Sequence, residues 1–269
     1  RRGVGGAEWS DHSFGVICAF KKIIMKIINP ATEKVIATVK EDGLKSATSA
    51  YHKVKSGQRE WQNTPLEERI APIRIFYGLL KDNLQNLAET LTHEMGKPLT
   101  QSVNEILGSR KRIKFFIDNA EKWLGDETVF KEQNLVEKIT FEPLGIIGNI
   151  SAWNYPYLVG VNVFIPALIA GNGVLYKPSE YATLTGMEIQ KLLHAAGVPE
   201  NVFQTLAGGR ETGEALLQLP LDGYFFTGSY KTGKHIYETV APKMVPCQLE
   251  LGGKDPLYVT DENDDIRTV

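Results

Sequence analysis

The chain has 269 residues, one large domain or two small ones at roughly 150 residues each, and its 42% hydrophobic and 23% charged content is that of a soluble globular protein with ample core. A formal net charge of −2 and a pI near 6.3 give no electrostatic basis for binding nucleic acid or an anionic membrane. Two cysteines, Cys18 and Cys247, cannot build a disulfide framework, and no apolar run approaches the ~18 residues of a membrane span, so a reducing, cytoplasmic setting is expected by default.

Residues 1–24 differ in character from the rest of the chain: the start is Arg/Gly-rich, no periodicity is sustained, and Lys21-Lys22 closes the stretch. Phe14–Phe20 is apolar but too short for a signal-peptide core with a cleavage site. Met25 opens a different register, so residues 1–24 are read as a non-native leader, with a genuine flexible arm as the alternative. A Val/Ile-rich segment comes next at Val35–Val39. Leu44, Ala47, Ala50, Tyr51 and Val54 predict a helix over Leu44–Trp61. Thr64-Pro65-Leu66-Glu67 carries a cap residue, Pro at the first helical position and Glu beyond, and starts a second helix. Its apolar face is read as continuing without a break from Ile70 through Leu84 and Leu87 to the stop at Gly96-Lys97-Pro98. A third helix spans Val103–Trp123, so residues 25–123 form a mostly helical part. Short β-like pieces at Val129-Phe130 and Ile139–Phe141 around polar residues 131–134 predict a hairpin arm over 124–141, whose open edges would pair with another subunit.

From residue 142 the pattern alternates. Leu144–Ile150 reads as a buried strand, Ser151–Pro156 as a turn, Tyr157–Ala170 as a helix ended by Gly171-Asn172-Gly173, and Val174–Tyr176 as a second strand. Helices at Thr183–Ala196, Glu211–Leu219 and Lys231–Val240 alternate with strands at Val202–Leu206, Tyr224–Phe226, Val245–Leu249 and Leu257–Val259. Alternating strands and helices imply an α/β, doubly wound parallel sheet, whose ligands bind at the carboxyl ends of the strands.

Polar groups cluster at those ends. Phe226-Thr227-Gly228-Ser229-Tyr230-Lys231-Thr232-Gly233 is a strand, a glycine turn and a helix start, which suits a pyrophosphate or is simply a βα turn. Gly233 permits close helix–sheet packing there. Lys177-Pro178-Ser179-Glu180 ends a strand with a cation and a carboxylate, able to hold a ribose diol or to form a solvated ion pair. Leu249-Glu250-Leu251-Gly252-Gly253-Lys254 puts one carboxylate in an apolar setting, either a general base whose affinity for a proton is raised by desolvation or a paired charge at a strand end. His93-Glu94 lacks the second histidine of a zinc motif, since residue 97 is Lys; His12, His52, His194 and His235 show no ligand spacing. Lys111-Arg112-Ile113-Lys114 reads as the solvated face of a helix.

Trp153-Asn154-Tyr155-Pro156, Lys177-Pro178-Ser179-Glu180, Phe226-Thr227-Gly228-Ser229 and Glu250-Leu251-Gly252-Gly253-Lys254, in this order and at these spacings, resemble the NAD(P)-dependent aldehyde dehydrogenase superfamily, with the succinate-semialdehyde group the nearest likeness. Glu94-Met95-Gly96-Lys97-Pro98 resembles its N-terminal helical region. The resemblance implies a Rossmann-like cofactor-binding core at 142–250 and the start of a catalytic domain at 251–269. It implies that Asn154 donates to the substrate oxygen as one arm of an oxyanion hole and that Glu250 is the general base. It implies further that Trp153 lines the nicotinamide cleft, that Lys177, Ser179 and Glu180 hold the adenosine ribose, that Gly228 and Ser229 meet the pyrophosphate, and that Leu251 and Gly252 lie near the nicotinamide. Glu180 favours NAD over NADP, whose 2′-phosphate it would repel; NADP is left open.

The implied reaction is oxidation of an aldehyde, in this reading a semialdehyde, to a carboxylic acid through a cysteine thioester in a homo-oligomeric enzyme. The family's nucleophilic cysteine lies beyond the Glu-Leu-Gly-Gly-Lys motif by a few tens of residues. Cys247 precedes Glu250 in a strand-like segment, where the family has no catalytic role, and is read as a small buried hydrophobe. The chain is therefore expected to be the cofactor-binding portion of a longer enzyme and inactive alone. The alternatives are a reductive relative acting on acyl phosphates or acyl-CoA esters, against which Glu250 speaks, and a non-catalytic nucleotide-binding or structural protein.

Overall fold

The computed structural model describes residues 24–258, so all but the last residue of the proposed leader, Cys18 included, and residues 259–269 of the stretch read as the opening of a catalytic domain lie outside the described residues. The Val/Ile segment is one arm of a hairpin: β1 (Ile24–Ile28) pairs antiparallel with β2 (Val35–Lys40), with a register shift between Ile27 and Ile28. The turn is built on Asn29, whose Oδ1 accepts from the N–H groups of Ala31 at 2.9 Å and Thr32 at 3.2 Å.

Helix α1 (Leu44–Trp61) has the predicted bounds. The second predicted helix is two, α2 (Leu66–Asp82) and α3 (Leu84–Met95). Asn83 breaks it at φ −104°, ψ 11°, and its Nδ2 donates to the Leu79 carbonyl at 2.8 Å, the side-chain competition with helix expected of asparagine. Nor does Thr64 cap α2: Pro65 holds the cap position, and the Thr64 hydroxyl donates back to Glu60 O at 3.2 Å. Helix α3 ends as predicted at Gly96, whose φ of +79° is the left-handed cap. Helix α4 (Leu99–Leu124) starts earlier than its apolar spacing indicated, because Pro98 sets its first turn. β3 (Glu127–Glu132) and β4 (Leu135–Ile139) form the expected hairpin, exposed throughout.

The remaining elements are β5 (Ile146–Ile150), α5 (Pro156–Ile169), β6 (Gly173–Lys177), a 3₁₀ turn (Glu180–Ala182), α6 (Thr183–Ala195), β7 (Phe203–Thr205), α7 (Arg210–Gln218), β8 (Gly223–Gly228), α8 (Tyr230–Val240) and β9 (Cys247–Leu251). Leu257 and Tyr258, read as part of a last strand, are irregular and exposed. The five strands form one parallel sheet in the order β7-β6-β5-β8-β9.

Strand alternation divides the core. Ile147, Val174, Tyr176 and Phe203 face α2 to α6, while Ile146, Leu175, Tyr224 and Phe226 face α1, α7 and α8. With both faces of the central strands covered, their sequences are continuously apolar. From β5 the chain winds outward through β6 to β7, then returns to the other side of β5 with β8 and β9. The winding reverses between β5 and β8, the position where open α/β sheets bind ligands.

Candidate active site at the carboxyl edge of the sheet

Parallel register collects the predicted residues along one edge. Ile150 pairs with both Lys177 and Phe226, Thr227 with Glu250, and Gly228 with Leu251. The loop carrying Trp153 and Asn154, the Lys177–Glu180 turn, the Gly228-Ser229 turn and the Glu250–Gly252 segment therefore all leave the same edge, around the β5/β8 reversal.

The end of β6 is packed. The Lys177 side chain is 6% exposed; its Nζ donates to Pro178 O at 3.0 Å and lies 3.7 Å from the Glu180 carboxylate, which is 41% exposed. Burial lowers the Lys177 pKa, against the pull of Glu180 and Glu41. Ser179 caps the 3₁₀ turn, its hydroxyl accepting from Tyr181 N at 3.3 Å and donating to Glu180 at 3.4 Å. Beneath this turn sits a group the sequence reading missed as a site element. Glu94 of α3 is buried, and its carboxylate accepts from Leu184 N, Thr185 N and Thr185 Oγ1 at the start of α6. Burial raises its pKa, and those hydrogen bonds oppose the rise.

At the start of α8, Ser229 Oγ accepts from Thr232 N at 3.3 Å. A Cβ on Gly233 would collide with Leu251 Cδ2, so the close helix–sheet packing read from the sequence is present.

The ends of β5 and β9 are open. Trp153 is 50% exposed, and Asn154 is exposed, with its Oδ1 accepting from Tyr155 N at 3.1 Å. Glu250 does not have the apolar setting expected for it: it is exposed, and Gln248 Nε2 donates to it at 3.0 Å. The reason is strand alternation. Leu249 and Cys247 turn toward the cluster under α8, whereas Gln248 and Glu250 turn to the opposite face. There they line a cleft of about 760 Å³ with Phe225 and Thr227 of β8 and Val159 and Asn162 of α5. Trp153 and Asn154 do not line it. Cys247 and Glu250 thus point to opposite sides of the sheet, and burial pushes the Cys247 thiol up.

Two further residues missed as site elements hold the Asn154 loop. Lys97, just after α3, and Glu105 of α4 form a buried ion pair, and Lys97 Nζ donates to the main-chain oxygen of Asn154 at 2.6 Å. Lys97 was visible in the sequence only within Glu94-Met95-Gly96-Lys97-Pro98, with no site role attached, and Glu105 only as a charge on a helix. Among the described residues, no group of histidine, cysteine and acidic side chains could hold a metal ion, and no helix is long and apolar enough to cross a membrane.

A doubly wound α/β unit with its polar residues at the switch point is a nucleotide-binding architecture. A model of the aldehyde dehydrogenase family matches residues 19–269, and the chain belongs to that family. It is 34% identical over 239 residues to a betaine aldehyde dehydrogenase of Vibrio vulnificus, covering 88% of this chain and 49% of that protein. Betaine aldehyde dehydrogenase 1 of Oryza sativa is 34% identical over 277 residues, covering 98% and 53%. A crystal structure of a betaine aldehyde dehydrogenase point mutant from Staphylococcus aureus, in complex with NAD+, superposes with a TM-score of 0.85 at 30% identity, over 90% of this chain and 50% of that one. The chain spans about half the length of the relatives it matches.

Proposed function

We propose that this chain is the nucleotide-holding part of an NAD-dependent aldehyde dehydrogenase, an oxidoreductase that converts an aldehyde to a carboxylic acid. One observation carries the reading: a buried ammonium beside a half-exposed carboxylate at the end of β6. An ammonium has three N–H donors, and Lys177 spends one on Pro178 O and leans another toward Glu180 at 3.7 Å. The remaining capacity to donate, next to a carboxylate able to accept, is the chemistry a ribose diol needs. The start of α8 with Gly228 and Ser229 fits the pyrophosphate, and Trp153, Leu251 and Gly252 are the proposed neighbours of the nicotinamide.

Bound NAD would supply the hydride acceptor. The chain's own groups do the rest. With its Oδ1 engaged by Tyr155 N, Asn154 keeps its side-chain N–H groups free to donate to an oxyanion. Glu250, in solvent on the cleft face, would take the proton of an attacking water. Cys247, turned away from Glu250 with its thiol pushed up, is not the nucleophile, which this reading places outside the described residues. Glu180 favours NAD over NADP.

The relatives' names specify betaine aldehyde, whereas the likeness to the succinate-semialdehyde group has no substrate-contacting residue behind it; the substrate is an aldehyde. The exposed Val129, Phe130, Leu135, Val136 and Ile139 of the β3–β4 hairpin support a homo-oligomer, and a cytoplasmic location completes the reading. Calorimetric titration of the chain tests the proposal. NAD+ is expected to bind, NADP+ about tenfold more weakly because its extra phosphate meets Glu180. Failure to bind either nucleotide overturns it.

A further inference from the structure

The Asn154 loop is exposed, yet its main chain is tied to the interior by one buried pair. Lys97 and Glu105 side chains are 5% and 0% exposed and bond directly to each other. Each also reaches past its partner. Lys97 Nζ donates to Asn154 O at 2.6 Å and lies 3.9 Å from the centre of the Tyr155 ring. Glu105 Oε1 accepts from Tyr157 N at 2.9 Å, one of the free N–H groups in the first turn of α5. The two ends of the pair thus grip the chain on either side of Pro156. Stability alone does not explain a charged pair in this place: a buried ion pair is no stabiliser by default, since desolvation offsets its attraction. What it does offer is direction, because a cation and an anion with fixed partners can hold a peptide plane in one orientation.

We propose that Lys97 and Glu105 are positioning residues that fix the peptide of Asn154 and thereby aim its side-chain amide. The inference rests on the oxyanion role proposed for Asn154, but the clamp can be read without turnover. Neither residue touches the reacting atoms; both act through the backbone of the loop. The arrangement also explains how an exposed side chain on the short connection between β5 and α5 can be directional: its own peptide is held from below by a buried ammonium.

Removing Lys97 alone would strand a buried carboxylate and risk unfolding the chain. The informative variant is therefore K97M/E105Q, which discards both charges, keeps an acceptor for Tyr157 N and retains the buried volume. Uniformly ¹⁵N-labelled chain is examined by NMR, following the Asn154 side-chain amide, the Trp153 indole N–H and hydrogen exchange of the Asn154, Tyr155 and Tyr157 amides. In K97M/E105Q, with core resonances and melting unchanged, the Asn154 and Trp153 signals are expected to shift and broaden, and loop exchange to rise about tenfold, the loss of one charge-assisted bond. Lys97→Arg, which keeps charge and donors, is expected to restore the parent signals. A folded K97M/E105Q chain with unchanged Asn154 and Trp153 signals overturns the clamp, and so does Lys97→Arg behaving like the double variant. A loosened loop, combined with an Asn154→Ala enzyme that still oxidises aldehyde at full rate, upholds the clamp and overturns the oxyanion reading instead.

Discussion

At the end of β6, Lys177 is packed, bonded and backed by the buried Glu94; at the ends of β5 and β9, Trp153, Asn154 and Glu250 stand in solvent. Both regions lie on one sheet edge and arise from the same strand–helix rhythm. They differ in where their support comes from. The β6 end is covered on both faces by helices of this chain, so its charged groups are desolvated and their partners are already in place. The β9 strand is an edge, and its Gln248/Glu250 face meets the cleft instead of a helix among the described residues. The proposed nucleotide grip is therefore supported within this chain, whereas the groups proposed to act on the aldehyde have no such cover among the described residues. Only Asn154 has an internal tie, through Lys97.

The largest expected effect strikes the support of the packed end. Glu94→Ala removes an acceptor shared by two backbone N–H groups and a hydroxyl, all at the buried start of α6. Leaving such donors unpaired costs about 3 kcal/mol or more, visible as a lowered denaturant midpoint. Because the turn holding Glu180 rests on this start, NAD+ affinity should fall in the same variant even below the unfolding transition. Retained affinity would mean the turn is held by Ser179 alone.

Next comes Lys177→Met. Loss of a charge-assisted donor is expected to weaken NAD+ about tenfold, roughly 1.4 kcal/mol, by calorimetry. Stability should not fall with it, since a costly buried charge leaves. The pH dependence carries the same sign. Burial lowers the Lys177 pKa below its ordinary 10.5, so between the lowered value and 10.5 the unfolded chain binds more protons than the folded one. Stability of the wild-type chain is then expected to rise with pH through that window as the penalty on the charged form is relieved. Lys177→Met removes that rise; an unchanged pH slope in the variant would show that Lys177 is solvated, and would erase the contrast between the two regions.

Much of this contrast could not be read from sequence, for physical reasons. Alternation of apolar runs identified every strand of the sheet and their shared edge, because burial on both faces leaves a local imprint. Strand order did not, since nothing local in Tyr224–Phe226 says that it lies beside β5 and not beyond β7. Asn83 was hidden because Leu80, Leu84 and Leu87 keep the apolar spacing across the break; an asparagine between them was the available signal. Glu94, Lys97 and Glu105 carry charges that composition assigns to the surface. Their partners, Thr185, Asn154 and Tyr157, are 91, 57 and 52 residues away, and only the assembled fold buries them. Glu250 erred in the other direction. Its neighbours Leu249 and Leu251 read as an apolar setting, but in a strand adjacent residues face opposite ways, so their apolarity says nothing of the face Glu250 occupies.

The smallest expected effect comes from that residue. Glu250→Gln alters an exposed side chain whose contact is with Gln248 on the same strand. Stability should stay within about 0.5 kcal/mol of wild type. NAD+ affinity of the chain should also hold, since the proposed ribose grip lies at the end of β6, on the far side of β5 and β8, and the Glu250 side chain is assigned no contact with the nucleotide. A clear loss of stability would mean that the β9 face is already buried in solution, by self-association for instance, and sedimentation of the wild-type chain would reveal it. An unchanged chain is the sharper outcome. It leaves Glu250 as a carboxylate with no structural duty at its position, so that any loss of aldehyde oxidation in an enzyme carrying the same substitution falls on the chemistry and not on the fold.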